Sequence, residues 1–205
     1  MKNVFTRSFN ARMLPVFLLS LACTAVQAQD TNAPKTELGQ FEAGIGVVIV
    51  KSTGDIGSVT AAGGVSVKCR ESLDTSSGLK RQGLIITIAV TGDQTDTSII
   101  DYDELDSLLS ALDYLKSVNW SVTTLGSFDA FYTSRDGLRV AVYGNQRRLD
   151  NLGISLQSYH ALRARVSFSP DQLAQFRGLI QQGKAKLDAL RGVLEQVREV
   201  GGRRQ

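Results

Sequence analysis

The chain has 205 residues, 23 of them basic and 20 acidic, for a formal net charge of +3. Positions 1–28 hold three of the basic residues and no acidic ones, so 23 minus 3 leaves 20 of each sign and a neutral remainder. A neutral body lacks the basic footprint of a nucleic-acid binder, and a single histidine excludes a metal set built from histidines.

Lys2, Arg7 and Arg12 precede a mostly apolar run, Met13 to Ala25, and Val26-Gln27-Ala28 offers small residues for cleavage. This is the layout of a signal peptide removed after Ala28, which places the chain in the periplasm or outside the cell. The apolar run is too short for an ordinary membrane span. Leu21-Ala22-Cys23 supports an alternative, a lipoprotein with its lipid on Cys23. Residues 29–42, polar and carrying Pro34 and Lys35, read as a flexible leader. A single domain is expected over 43–191, with a helix extension and disordered tail over 192–205. Cys69 is then the one remaining thiol, and its place on the inward side of an alternating run makes it a small buried apolar residue.

The domain opens with an apolar strand over Gly44 to Val50, followed by a glycine-bearing turn from Lys51 to Gly57. Val59 to Glu71 reads as two strands broken at Gly63-Gly64, the second pointing Val65, Val67 and Cys69 one way and Ser66, Lys68 and Arg70 the other. Leu84 to Val90 is the most apolar strand, and Ser98 to Ile100 adds a short extended piece. An amphipathic helix follows over Tyr102 to Val118, with Leu105, Leu108, Leu109, Leu112 and Leu115 as its stripe. Asp101 and Glu104 have the spacing of a capping box.

The second half repeats that order. Ser127 to Thr133 alternates, Asp136-Gly137 marks a tight hairpin, and Leu138, Val140 and Val142 face inward with Arg139 opposite. Gly153 to Tyr159 is either strand or irregular. Ala161 to Phe168 alternates again, with Leu162, Ala164, Val166 and Phe168 inward and Arg163, Arg165 and Ser167 outward. Ser169, Pro170 and Gln172 open a long helix in which Leu173, Phe176, Ile180, Leu187, Leu190, Leu194 and Val197 recur at steps of three and four, with Gly183 in one slot. Aligning Asp101 with Ser169 also aligns Leu105 with Leu173, Leu108 with Phe176 and Leu112 with Ile180. The fold class expected is α+β: mainly antiparallel sheet or sheets, two amphipathic helices packed on one face, and a strands-then-helix pseudo-repeat.

Candidate chemistry is sparse. Asp101, Asp103, Glu104 and Asp106 cluster, but they lack the glycine and distal glutamate of a calcium loop and fit the first turn of a helix. Arg139, Arg163 and Arg165, with His160 nearby, form a candidate surface for an anionic ligand or partner. Leu190, Leu194 and Val197 form a candidate self-association stripe, because a helix reaching Val200 outruns a domain of this size.

Through Ile100-Asp101-Tyr102-Asp103-Glu104-Leu105-Asp106-Ser107-Leu108-Leu109, Phe176-Arg177-Gly178-Leu179-Ile180 and Lys184-Ala185-Lys186-Leu187-Asp188, the chain resembles a set of uncharacterised exported bacterial proteins. That resemblance implies no activity. The strands-then-helix order is also similar in layout to the Whirly and PUR class of single-strand nucleic-acid binders, with no shared binding motif. The reading is an exported, non-enzymatic binding domain with no cofactor, no nucleic-acid partner and no transmembrane span, meeting an unknown protein or itself through the C-terminal helix. Two alternatives stand beside it: a small hydrolase using His160, and a carrier of a small ligand on the sheet face.

Overall fold

The computed structural model describes residues 34–61, 64–89, 95–145, 152–160 and 164–202, with side chains described up to residue 192. The expected signal peptide, Cys23 and Arg163 lie outside the described residues.

A short helix, α1 (Glu37–Glu42), precedes a four-stranded meander of β1 (Ile49–Val59), β2 (Val65–Asp74), β3 (Lys80–Ala89) and β4 (Thr95–Asp101). A 3-10 turn over Tyr102–Glu104 leads into α2 (Leu105–Ser117). A second meander follows, β5 (Ser127–Thr133), β6 (Leu138–Asn145), β7 (Gly153–Ser158) and β8 (Arg165–Phe168), and α3 (Pro170–Gly202) ends the chain. Each sheet is antiparallel throughout and keeps its strands in chain order. The α+β class and the twice-made order of strands then helix are therefore present, as two separate sheets.

Each helix covers the sheet of the other half. The chain runs from β4 into α2, and α2 lies over β5 and β6. It runs from β8 into α3, and α3 crosses β1, β2 and β3. The residue choices explain the fit. Leu105, Leu108, Leu109, Leu112 and Leu115 are all buried along one side of α2. In α3 the buried residues are Leu173, Phe176, Ile180 and Leu187, and Gly183 fills the missing slot of that stripe. A Cβ on Gly183 would stand 2.7 Å from Leu84 Cδ2, so the glycine lets α3 settle directly on β3. The two helices run antiparallel, side by side. Arg177 grips Asp113 (2.8 and 3.0 Å) and Lys184 lies 3.7 Å from Asp106. The inner faces of both sheets and both helix stripes make one continuous core.

Local signals were met where the backbone decides alone. Ser169 Oγ accepts from Gln172 N (3.2 Å) and Gln172 Oε1 accepts from Ser169 N (2.7 Å), the reciprocal capping box. Gly137 adopts φ 80° in the β5–β6 turn. Cys69 is buried, its thiol donating to Gly54 O.

Four expectations are corrected. Gly44 to Val48 is not strand: β1 begins only at Ile49, and Ile45 and Val48 stand exposed. Lys51 to Gly57 is not a turn but the middle of β1, an edge strand whose irregular register near Ile56 and open outer side admit polar residues and glycine. The end of the expected flexible leader forms α1, with Leu38 wholly buried over Gly83. Asp101 does not cap its own helix. Its carboxylate accepts the amides of Glu37 (2.7 Å) and Leu38 (3.0 Å), and so anchors α1 from 63 and 64 positions away.

Candidate functional site

Two surfaces carry the residues singled out by the sequence. The first is the outer face of the second sheet, turned away from α2. Strand alternation puts Phe128, Ala130, Tyr132, Leu138, Val140, Val142, Ile154 and Leu156 inward. It puts Asp129, Phe131, Arg139, Tyr143, Gln157 and Arg165 outward. Arg139 and Arg165 therefore do share a face. The guanidinium of Arg139 stacks 3.7 Å from the centre of the Phe131 ring. It also donates to Asp129 Oδ2 (2.5 Å) and to the Tyr159 hydroxyl (3.2 Å), which ties it to β5 and to the residue that follows β7. Arg165 lies 5.5 Å from the centre of the Tyr143 ring. Gly153, paired with Tyr143, makes room for that ring: a Cβ there would come within 2.3 Å of Tyr143 Cζ. The aromatic members, Phe131, Tyr143 and Tyr159, are 55, 37 and 49% exposed. Sequence reading missed them as a group, although their parity with Arg139 along β5 to β7 was visible.

The second surface is the C-terminal end of α3. Among its described side chains the last wholly buried one is Leu187, Leu190 is 39% exposed, and the helix continues to Gly202. Asp188 accepts from the Tyr102 hydroxyl (2.5 Å), and Arg191 stacks on the Tyr102 ring 4.1 Å from its centre. The side chains of Leu194 and Val197 lie outside the described residues.

His160 sits apart from the arginine face, at the seam between the two sheets. Its Nε2 is 3.3 Å from Asp136 Oδ2, at an angle that makes no hydrogen bond, while that oxygen accepts from Ile99 N (2.8 Å). Ser158 Oγ takes the backbone N–H of His160 (3.4 Å) and meets Ser98 Oγ (3.4 Å) inside the core. Among the described residues no serine hydroxyl hydrogen-bonds the imidazole, so the arrangement lacks a nucleophile–base pair.

The acidic group around Asp101 is occupied by a cation from the chain itself. Arg135 donates twice to Asp103 (3.0 and 2.6 Å) and once to Asp101 (3.2 Å). Glu104 is buried and accepts from Arg135 N (2.8 Å) and the Tyr132 hydroxyl (3.2 Å). Burial pushes its carboxyl above the ordinary carboxylate range, against those two donors. The Arg135 guanidinium holds the Asp103 carboxyl below that range. The group is thus a latch joining α1, the start of α2 and the β5–β6 turn. No cluster of three or more metal-ligating side chains occurs among the described residues.

Fold and surfaces together define a class: an α+β protein of two antiparallel meanders with exchanged helices. No described helix is long and apolar enough to cross a membrane. Comparison with protein-family models, with curated proteins and with solved structures finds no match to the chain.

Proposed function

We propose that this chain is an exported, non-enzymatic interaction domain that pairs with a second copy of itself through the C-terminal end of α3. The observation that carries the reading is the length of that helix. From Leu187, the last wholly buried residue among the described side chains, it runs on about 22 Å to Gly202, at 1.5 Å per residue. The stripe that packs the first sheet continues in the same three-four register through Leu190, Leu194 and Val197, which is the pattern of a two-helix seam. The polar residues around it are mixed: Asp188, Glu195 and Glu199 against Arg191 and Arg198. Such a mixture suits a self-complementary partner, whereas a helix made for an anionic lipid surface carries a basic polar face. Export is supported by the charge, length and cleavage pattern of residues 1–28.

The seam spans about two heptads, so association is expected to be weak and concentration-dependent. Light scattering coupled to size exclusion tests it on the full mature chain, on a truncation after Gly192 and on a Leu194→Asp, Val197→Asp double variant. The expected result is a dimer that becomes a monomer in both altered proteins. A monomer in all three across the accessible concentration range overturns the proposal.

A further inference from the structure

The first sheet has an apolar end that stands in solvent. Ile45 is 99% exposed, Val48 66% and Val50 46%, on the segment that leads into β1 and on the start of that strand. Exposed apolar residues gathered at one place mark a contact site, where scattered single ones do not. Val48 belongs to the ladder of the sheet, since its carbonyl accepts from Thr75 N (3.1 Å). It and Val50 therefore share parity with Gly54. A Cβ on Gly54 would stand 2.7 Å from Lys186 Nζ of α3. Val48 and Val50 thus face the side of the sheet on which α3 lies.

α3 runs opposite to β1, with Leu179 over Gly57 and Lys186 over Gly54. Its last turns head toward the start of the strand, where the two valines are. The three-four spacing carries Leu190, Leu194 and Val197 along the side of the helix on which Leu187 is buried. Helix stripe and strand end are therefore two apolar walls turned toward each other, and a helix laid between them touches both.

Symmetry names the occupant. In a two-fold pair of antiparallel helices, Leu194 of one copy meets Val197 of the other, and each tip is carried back to where the other helix leaves its sheet. There it lies against Val48 and Val50 of the second copy. A parallel pair sends both tips away and leaves the valines uncovered. A lipid surface suits this end less well. The described cations near it, Lys51, Lys80 and Arg81, each stand against a carboxylate, at 2.7, 2.8 and 3.7 Å, and the last turns of α3 carry Glu195 and Glu199.

We propose that the α3 pair is antiparallel and that each helix lays its last two turns on the apolar start of β1 in the second copy. This contact rests on the pairing through α3 proposed above and gives that pairing its orientation and its second surface.

The test is disulfide trapping on the full mature chain, in which Cys69 is buried and does not compete. Val48→Cys copies are mixed with Val197→Cys copies under mild oxidation, and a disulfide joining the two variants is expected. Gly201→Cys copies stay unlinked, because their introduced thiols lie about 16 Å apart along an antiparallel pair. By light scattering, Val48→Asp with Val50→Asp raises the dimer dissociation constant about tenfold. Leu125→Asp, at a 71% exposed leucine of the link between α2 and β5, leaves it unchanged. Thermal melting confirms that the valine double variant is folded; if it is not, trapping decides alone. Linking of the Gly201→Cys copies overturns the proposal. So does a dimer that ignores Val48→Asp with Val50→Asp yet is lost with Leu194→Asp and Val197→Asp, an outcome that leaves pairing through α3 standing. A parent chain that is monomeric at every concentration removes both. Monomers that sediment with phosphatidylglycerol vesicles, and cease to in the valine double variant, assign the apolar end to a membrane instead.

Discussion

The two sheets share a plan and differ in what they show to solvent. Each is a four-stranded meander followed by a helix, and each is closed on its inner side by the helix of the other half. On the outer side of the first sheet, α1 lies over β2, β3 and β4, and Glu42 binds Lys51 (2.7 Å) and Ser72 (2.7 Å). Away from α1 that face is mostly polar, with Thr53, Asp55, Ser58, Ser66, Lys68, Thr87 and Thr97 pointing outward. No equivalent of α1 covers the second sheet among the described residues, and there the outward positions include Phe131, Tyr143, Arg139 and Arg165 beside Asp129, Ser155 and Gln157. The contrast teaches that repeating a layout leaves the inner faces under one constraint and frees the outer faces to diverge.

The shared interior gives the sharpest way to break this comparison. Phe176 of α3 packs against Phe168 of β8, with ring centres 5.9 Å apart, and is wholly buried. Phe176→Ala is expected to cost about 3–5 kcal/mol, and Leu112→Ala in α2 about 2–5 kcal/mol. Since each helix closes the opposite sheet, both substitutions should shift one common unfolding transition in urea. Two transitions, each moved by one variant, would show two independently folded halves.

The latch at Arg135 comes next. Arg135→Ala leaves Asp101, Asp103 and Glu104 without their cation, but the guanidinium is 42% exposed, so about 1–2 kcal/mol is expected. The loss should appear as earlier hydrogen exchange in α1, whose first amides Asp101 holds.

The pH response sharpens the same region. Burial raises the Glu104 carboxyl above its ordinary 4.5, so the folded chain favours the protonated acid. Its contribution is therefore complete below that value and is lost as pH rises through the raised one. Asp103 behaves oppositely: Arg135 lowers it from 3.8, so its contribution is present above that value and lost as pH falls through the lowered one. Glu104→Gln should flatten the loss of stability that urea denaturation shows as pH rises above 4.5.

The smallest effect belongs to the β2–β3 turn. The hydroxyls of Ser76 and Ser77 bring the exposed Asp74 carboxyl from 3.8 down to about 2. Its contribution is whole above 3.8 and lost as pH falls through about 2. Side-chain NMR titration should find that midpoint, and Ser76→Ala should raise it.

How far these features could be read in advance follows from their range. The alternation of β5, β6 and β8, the Asp136-Gly137 turn and the Ser169–Gln172 box depend on neighbours within a few positions, and the residues state them openly. β1 was hidden because an edge strand tolerates Lys51, Ser52, Gly54 and Asp55, which look like turn chemistry when burial is unknown. α1 was hidden because six residues do not hold a helix alone; a distant carboxylate does. The same carboxylate, at Asp101, looked like a local cap because cap spacing is indifferent to which helix is served. For the candidate face, Arg139 and Arg165 were placed together from parity alone. The aromatic partners needed the strand order, since Tyr143 and Arg165 belong to different strands and meet only across β7.

Exchange of the helices has a consequence for any half taken alone. A unit of four strands and one helix would hold a bare apolar sheet and a helix stripe that cannot fold back onto it. Such a unit finds relief only in a twin that lends the missing cover and borrows the same in return. Here both twins sit on one thread, so the meeting that would otherwise depend on concentration is secured by the short link between α2 and β5.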